Sequence, residues 1–207
     1  LPSVEIVRGD RKTAIEGSTF KAAISRADGI VNTLIKRLDL VSPRFTATGE
    51  LTVDPAASTV QLKLAGQDLD VARVRETALK IAGDVGIVED VFRHVRGGQM
   101  PEISFQATGR SFAELGKNIA VTGALRGGNI FAYVLGIDLD DVDGQFAVSQ
   151  GIFEAKQFSA RYGKIQGRAG TLRLGLQGKN VPFHLDLMVQ SDAAELHSLL
   201  LRVIKNE

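Results

Sequence analysis

Apolar and polar side chains alternate one by one along most of this chain. The alternating apolar positions form nine groups: Phe20, Ala22 and Ile24; Phe45, Ala47, Leu51 and Val53; Val60, Leu62 and Leu64; Ile103, Phe105 and Ala107; Ile119, Val121 and Leu125; Val142, Phe146 and Val148; Phe158, Ala160 and Tyr162; Leu172, Leu174 and Leu176; and Phe183, Leu185, Leu187 and Val189. Successive side chains of a strand point to opposite faces, so this pattern predicts strands with one apolar and one polar face. Such strands are typical of antiparallel sheets.

Short turn signals separate the alternating segments. They are Asp54-Pro55, Gly97-Gly98, Gly127-Gly128, Asp143-Gly144, Gln150-Gly151 and Gly178-Lys179-Asn180. Glycine, proline, asparagine and aspartate at such intervals are typical of the connections in hairpins. The chain is therefore predicted to form a meander of antiparallel strands.

Helical spacing of apolar residues occurs in two places. The longer stripe contains Val71, Val74, Ala78, Ile81, Val85, Val88, Phe92 and Val95. Asp70 can cap its start, and Gly83 and Gly86 interrupt it, so we expect one kinked helix or two short ones. Near the C-terminus, Asp192 to Glu195 fits a capping box ahead of an apolar stripe that begins at Leu196.

A strand that ends in a polar turn and then starts a helix recurs weakly along the chain. Leu34, Val74 and Leu115 would begin such helices about 40 residues apart, and Leu196 would begin another. The sequence thus predicts a mainly β fold with a few short helices (α+β), a curved antiparallel β half-pipe or groove built of repeated strand-helix modules. A closed β-sandwich is the alternative, because the same alternation can face a closed core.

The composition of the chain narrows the classes of function that it can have. The chain has 207 residues, a net charge of +1, and 44% hydrophobic and 24% charged residues, which is typical of a globular domain. Residues 1–207 are expected to form a single β-rich domain, excised from a larger protein. The charge balance argues against nucleic acid as a partner. The absence of cysteine removes disulfides and thiolate metal sites.

No pattern indicates catalysis, a cofactor or a metal. His94, His184 and His197 lack metal-ligand spacing. The acidic run 138–144 fails the register of an EF-hand and is interpreted as a polar turn that leads into a strand. The glycine-rich stretch 163–170 leads into a strand rather than a helix, so bulges or tight bends are expected there instead of a phosphate loop.

Loose motifs of glycine, aspartate and alternating aliphatic residues fill the stretch from Gly136 to Leu176. They are Gly136-Ile137-Asp138-Leu139, Asp141-Val142-Asp143-Gly144, Phe146 and Val148, Gly151-Ile152-Phe153-Glu154-Ala155, Phe158-Ser159-Ala160-Arg161-Tyr162-Gly163 and Gly170-Thr171-Leu172-Arg173-Leu174-Gly175-Leu176. This stretch resembles the C-terminal region of AsmA-like proteins, a bacterial envelope group that includes TamB-like and YhdP-like members. The resemblance implies a non-catalytic periplasmic half-pipe that carries phospholipid acyl chains between the inner and outer membranes.

The resemblance also implies contact with membranes, and an inner-membrane anchor, through segments of the parent protein outside this chain. Envelope proteins are possible partners. The alternative is a protein-interaction scaffold for outer-membrane assembly, and an envelope enzyme is the least favoured of the three hypotheses. The expected lipid groove comprises Leu62, Leu64, Ile103, Phe105, Ile119, Val121, Leu125, Phe146, Val148, Leu172, Leu174, Phe183, Leu185 and Leu187. Whether this face is an open groove or a closed core is left open by the pattern.

Overall fold

The computed structural model describes residues 3–8, 11–42, 44–82, 86–111, 114–115, 118–132, 136–176 and 182–205. The strands are β1 Ser3–Arg8, β2 Arg11–Ala27, β3 Ile30–Ser42, β4 Arg44–Asp54, β5 Thr59–Asp70, β6 Val95–Gly109, β7 Ile119–Ala132, β8 Ile137–Ser149, β9 Ile152–Tyr162, β10 Ile165–Gly175 and β11 Phe183–Gln190. The helices are α1 Val71–Ala82, α2 Gly86–His94 and α3 Ala193–Lys205.

All eleven strands belong to one antiparallel sheet, and each strand pairs with its neighbours in sequence. The order runs from β1 at one edge to β11 at the other, so the sheet is open rather than closed into a barrel. Within the described ranges, no second sheet faces it. The prediction of a mainly β half-pipe is confirmed, and the closed sandwich is excluded for these strands.

The accessible surface is large for the mass of the chain. It measures 12968 Å² for 22.2 kDa. A compact monomer of this mass exposes roughly 9,400 Å². A closed core would bring the exposed surface down to that value, so the excess is a direct consequence of the open sheet.

A line of kinks crosses six consecutive strands, β5 to β10. Each carries one residue with positive φ: Asp68, Gly98, Gly127, Asp141, Gln157 and Ala169. The pairing register shifts close to this line in each strand pair from β6–β7 to β10–β11. Bulges of this kind bend strands and increase their local twist, which curves the sheet.

Three of the predicted turns lie on or next to this line instead of in loops. Gly97-Gly98 is inside β6, Gly127-Gly128 inside β7 and Asp143-Gly144 inside β8. At Gly98 a Cβ atom would lie 2.7 Å from the Cα of Gly128, so this crossing has no room for a side chain. The predicted turns after Asp54 and at Gln150-Gly151 are confirmed, and 178–180 lies outside the described residues.

The long apolar stripe forms two short helices, as predicted. Asp70 caps α1 by accepting a hydrogen bond from the Arg73 amide at 3.1 Å. Asp192 caps α3 in the same way, through the Glu195 amide at 2.8 Å. The regular repeat of strand-helix modules is wrong at two positions: Leu34 lies within β3, and Leu115 lies in a short 3₁₀ turn.

The acidic run 138–144 is part of β8 rather than a turn. Its carboxylates pair with cationic and polar side chains of nearby strands. Arg161 of the neighbouring strand β9 pairs with Asp141 at 2.8 Å, and Arg96 reaches from β6, on the far side of β7, to Asp138 at 2.7 Å. These contacts explain the clustered acidic residues as cross-strand partners on a solvent-exposed surface.

Candidate functional site

Two uninterrupted rows of apolar residues and glycines cross the sheet from β2 to β11. Residues directly opposite each other in paired strands share a face, so the pairing register defines each row. One row contains Phe20, Leu38, Ala47, Gly66, Ile103, Gly123, Phe146, Ala155, Leu172 and Leu185. The other contains Ala22, Ile35, Gly49, Leu64, Phe105, Val121, Val148, Phe153, Leu174 and Phe183. We call the side of the sheet that carries these rows the groove face.

The opposite side, the outer face, is polar. A row between the two apolar rows contains Thr48, Ala65, Ser104, Thr122, Ala147, Glu154, Arg173 and His184. Within it, Arg173 lies 3.7 Å from Glu154 on the neighbouring strand. Each strand in this region therefore has one apolar face and one polar face that is exposed to solvent.

All fourteen residues of the predicted lipid groove lie on the groove face. Ten of them are members of the two rows: Leu64, Ile103, Phe105, Val121, Phe146, Val148, Leu172, Leu174, Phe183 and Leu185. The other four, Leu62, Ile119, Leu125 and Leu187, stand at even spacing from row members on the same strands. Their contact with a lipid stays a prediction.

A cavity of about 270 Å³ lies between the groove face and the helices α1 and α2. The side chains in its wall are all apolar: Leu69, Val71, Val74, Val88, Val91, Phe92, Val95, Met100, Ile103, Phe105, Ile119, Val121, Phe146 and Val148. A cavity with no polar side chain in its wall favours an apolar occupant, because a polar ligand would lose hydrogen bonds to water without gaining side-chain partners.

Two smaller cavities continue along the groove face toward β11. One, of about 50 Å³, extends across β8 to β10, and the other, of about 80 Å³, reaches Phe183 of β11. Val91 of α2 and Val95 of β6 line all three cavities. Helix α2 therefore forms a roof over the middle of the groove.

Packing and hydrogen bonds hold α1 and the α2 roof against the sheet, and Val91 and Phe92 of α2 pack on the core. Val71, at the start of α1, is only 1% exposed, and α1 contacts β2, β5 and β6. Arg75 of α1 donates a hydrogen bond to the Phe92 carbonyl oxygen at 2.9 Å, which ties α2 to α1. His94 Nδ1 lies 2.9 Å from the Phe131 carbonyl oxygen of β7. The sequence pattern predicted these helices and placed Val88 and Phe92 in their apolar stripe, but it left out Val91 and did not indicate that the stripe faces the groove.

Outside the roof the groove face is exposed to solvent. Phe20 is 49% exposed and Ile24 is 74% exposed on β2, and Phe183 is 42% exposed on β11. Large apolar side chains this exposed on both flanks of one face form a patch of the kind that marks a binding site.

Charged groups with shifted pKa values lie away from the groove. The hydrogen bond from Arg37 at 2.7 Å lowers the pKa of Asp39, which is on the outer face. The Lys80 ammonium likewise lowers the pKa of Glu76 on the exposed side of α1.

In the part of the chain that the structure describes, no group of three or more histidines and carboxylates could hold a metal ion. Across the same residues, no helix has the length and apolar character required to span a bilayer.

No family model, curated protein or solved structure matches this chain. The geometry and chemistry of the groove are therefore the basis for assigning a function.

Proposed function

We propose that this domain is a non-catalytic lipid-binding module, in which the groove face holds the acyl chains of phospholipids. The observation that carries the proposal is the pair of apolar rows, unbroken across ten strands and partly roofed over cavities with apolar walls. An acyl chain needs a continuous apolar surface and no hydrogen-bond partners, and this face meets both requirements.

The energy available is sufficient for binding. Burial of each methylene contributes about 0.8 kcal/mol, so a chain of about nine methylenes in the cavity beneath α1 and α2 gains about 7 kcal/mol before the cost of association. Continuation along the exposed flanks would add to this gain. The expected affinity is therefore modest for one chain, which suits a surface that must release its ligand as well as bind it.

The proposed setting is the periplasm, with the parent protein anchored in the inner membrane and phospholipid moving between the inner and outer membranes. The resemblance of the stretch from Gly136 to Leu176 to AsmA-like C-terminal regions supports this setting. An open groove that extends through the sheet from flank to flank is compatible with movement of a chain along it.

Photo-crosslinking in cells tests the proposal. A photoreactive residue would replace each of four groove-face residues: Leu64, Phe105, Val121 and Val148. The matched controls are neighbours in sequence that are exposed on the outer face: Lys63, Gln106, Thr122 and Ser149. Lipid adducts at the groove-face positions but not at the controls are expected. Adducts at neither set, together with purified protein that carries no lipid in native mass spectrometry, would contradict the proposal.

A protein-interaction scaffold is the second candidate, and the edge of the sheet supports it. One edge of β11 pairs with β10, whereas its other edge has no partner among the described strands. Met188 on this strand is 71% exposed. Free strand edges accept further strands from partner proteins. Protein adducts from a photoreactive residue at Met188, without lipid adducts from the groove face, would favour the scaffold.

A further inference from the structure

The cavity of about 270 Å³ beneath α1 and α2 ends at a wall that it shares with the cavity of about 50 Å³. Five residues line both cavities: Val91, Val95, Met100, Phe146 and Val148. Phe146 has the bulkiest side chain of the five, and it rises from the groove face on β8. Val91 lies opposite, in the α2 roof. The groove beneath α2 is thus divided into compartments, with Phe146 as the main partition.

The ring of Phe146 is held in place from two sides. Its edge lies over Gly123, where a Cβ atom would approach the ring to 3.1 Å. On the other side it stacks on Phe153 of β9, with ring centroids 6.2 Å apart and planes inclined by 10°. Stacked aromatic pairs at such distances are favourable beyond their burial alone. A fixed ring across an apolar channel stops a chain at a defined point.

We infer that Phe146 sets the length of the aliphatic chain that the roofed part of the groove accepts. The inference rests on the proposed lipid-binding function and adds a selectivity to it. Burial of one methylene contributes about 0.8 kcal/mol, and each Å³ of empty cavity costs about 24 cal/mol. The ratio of the two values assigns about 30 Å³ to each methylene. By that measure, the cavity of about 270 Å³ holds about nine methylenes in an unbranched chain.

Removal of the ring should lengthen the accepted chain. The adjoining cavity adds about 50 Å³, which is about two methylenes, and the space of the ring itself adds more. Phe105 provides a matched control, because it is also a phenylalanine of the groove face but lines the cavity beneath α1 and α2 without lining the adjoining one. Its loss widens that cavity without opening the partition.

The test measures binding of straight-chain alkyl carboxylates, from about six to about sixteen carbons, to the full chain by isothermal titration calorimetry. For the unmodified protein, affinity should rise about fourfold per methylene and then level off near ten carbons. In Phe146→Ala the affinity should level off at a chain that is at least two carbons longer. In Phe105→Ala the affinity should be weaker across the series, but it should level off at the same chain length as in the unmodified protein. Phe146→Leu, which keeps an apolar side chain, replaces the alanine variant if thermal unfolding shows that the latter is not folded.

The outcomes separate this inference from the function on which it rests. Failure of every carboxylate to bind the unmodified protein would overturn the lipid-binding function. Affinity that rises through the whole series without levelling off, or that levels off at the same chain length in the folded Phe146 variant as in the unmodified protein, would overturn the role of Phe146 alone.

Discussion

A carboxylate placed on the groove face tests whether this face is open in solution. Val121 is the site of choice, because it is partly exposed, lies in one of the two apolar rows and lines the cavity beneath α1 and α2. In Val121→Asp the new charge can reach water through the groove. The same charge in a closed core would remain buried and unpaired.

The two cases differ in free energy by more than the error of an unfolding experiment. Full burial of a valine contributes about 1.5–3 kcal/mol, so replacement of the partly exposed Val121 should cost about 1–2 kcal/mol. A buried, unpaired charge costs several kcal/mol, a large part of a total stability of about 5–15 kcal/mol. Val121→Asp should therefore stay folded with a modest loss of stability.

Urea unfolding followed by circular dichroism measures this loss, and two variants calibrate it. Thr122→Asp places the charge on the exposed outer face one residue away and should change stability by about 0.5 kcal/mol or less. Val71→Asp places it where the side chain is 1% exposed and should unfold the domain. If Val121→Asp behaves like Val71→Asp, the open groove is refuted. If it folds and still binds alkyl chains as tightly as the unmodified protein, the cavity at Val121 is not their site.

Three further changes test other parts of the structure. Gly123→Val should destabilise the domain by about 1–3 kcal/mol, because its Cβ would press on the Phe146 ring and lie 2.8 Å from a backbone oxygen; an unchanged urea midpoint would contradict this packing. Asp70→Ala should cost about 1 kcal/mol through loss of the α1 cap and should speed amide hydrogen exchange in α1 more than in β9. Arg37→Gln should raise the pKa of Asp39 in an NMR titration. Because folding lowers that pKa, the ion pair stabilises the protein above the pH at which the unfolded carboxyl titrates, and this contribution is lost as the pH falls through the folded value.

The groove face was predictable because its signal is local. Two-residue alternation fixes which side chains share a face within one strand, and hairpin connections then place neighbouring strands in register. This is why residues as far apart as Leu64 and Leu174 could be assigned to one apolar surface. Helices α1 and α3 and their aspartate caps, Asp70 and Asp192, were equally predictable, since capping depends on side chains within one turn.

The kinks and the roof were not predictable in the same way. A glycine pair such as Gly97-Gly98 suits a turn and a bulge equally, and only pairing with β7 decides between them. Leu34 fits a helix start by spacing, but strands on both sides of β3 override that local preference. The position of α2 over β6 and β7 depends on contacts between segments far apart in sequence, which periodicity does not report.

The order of strands in this sheet has a consequence for how the molecule assembles. Each strand pairs only with the strand that precedes or follows it in the chain, so no pairing has to bridge an intervening strand, and the entropy of closing long loops opposes folding less than in sheets with crossed connections. Any hairpin can then serve as a nucleus, and the sheet can lengthen from it one strand at a time, as repeat proteins do. Addition or loss of a whole hairpin leaves the side chains of all remaining strands on the same faces as before. A single inserted residue in a strand would instead turn all side chains beyond it to the opposite face.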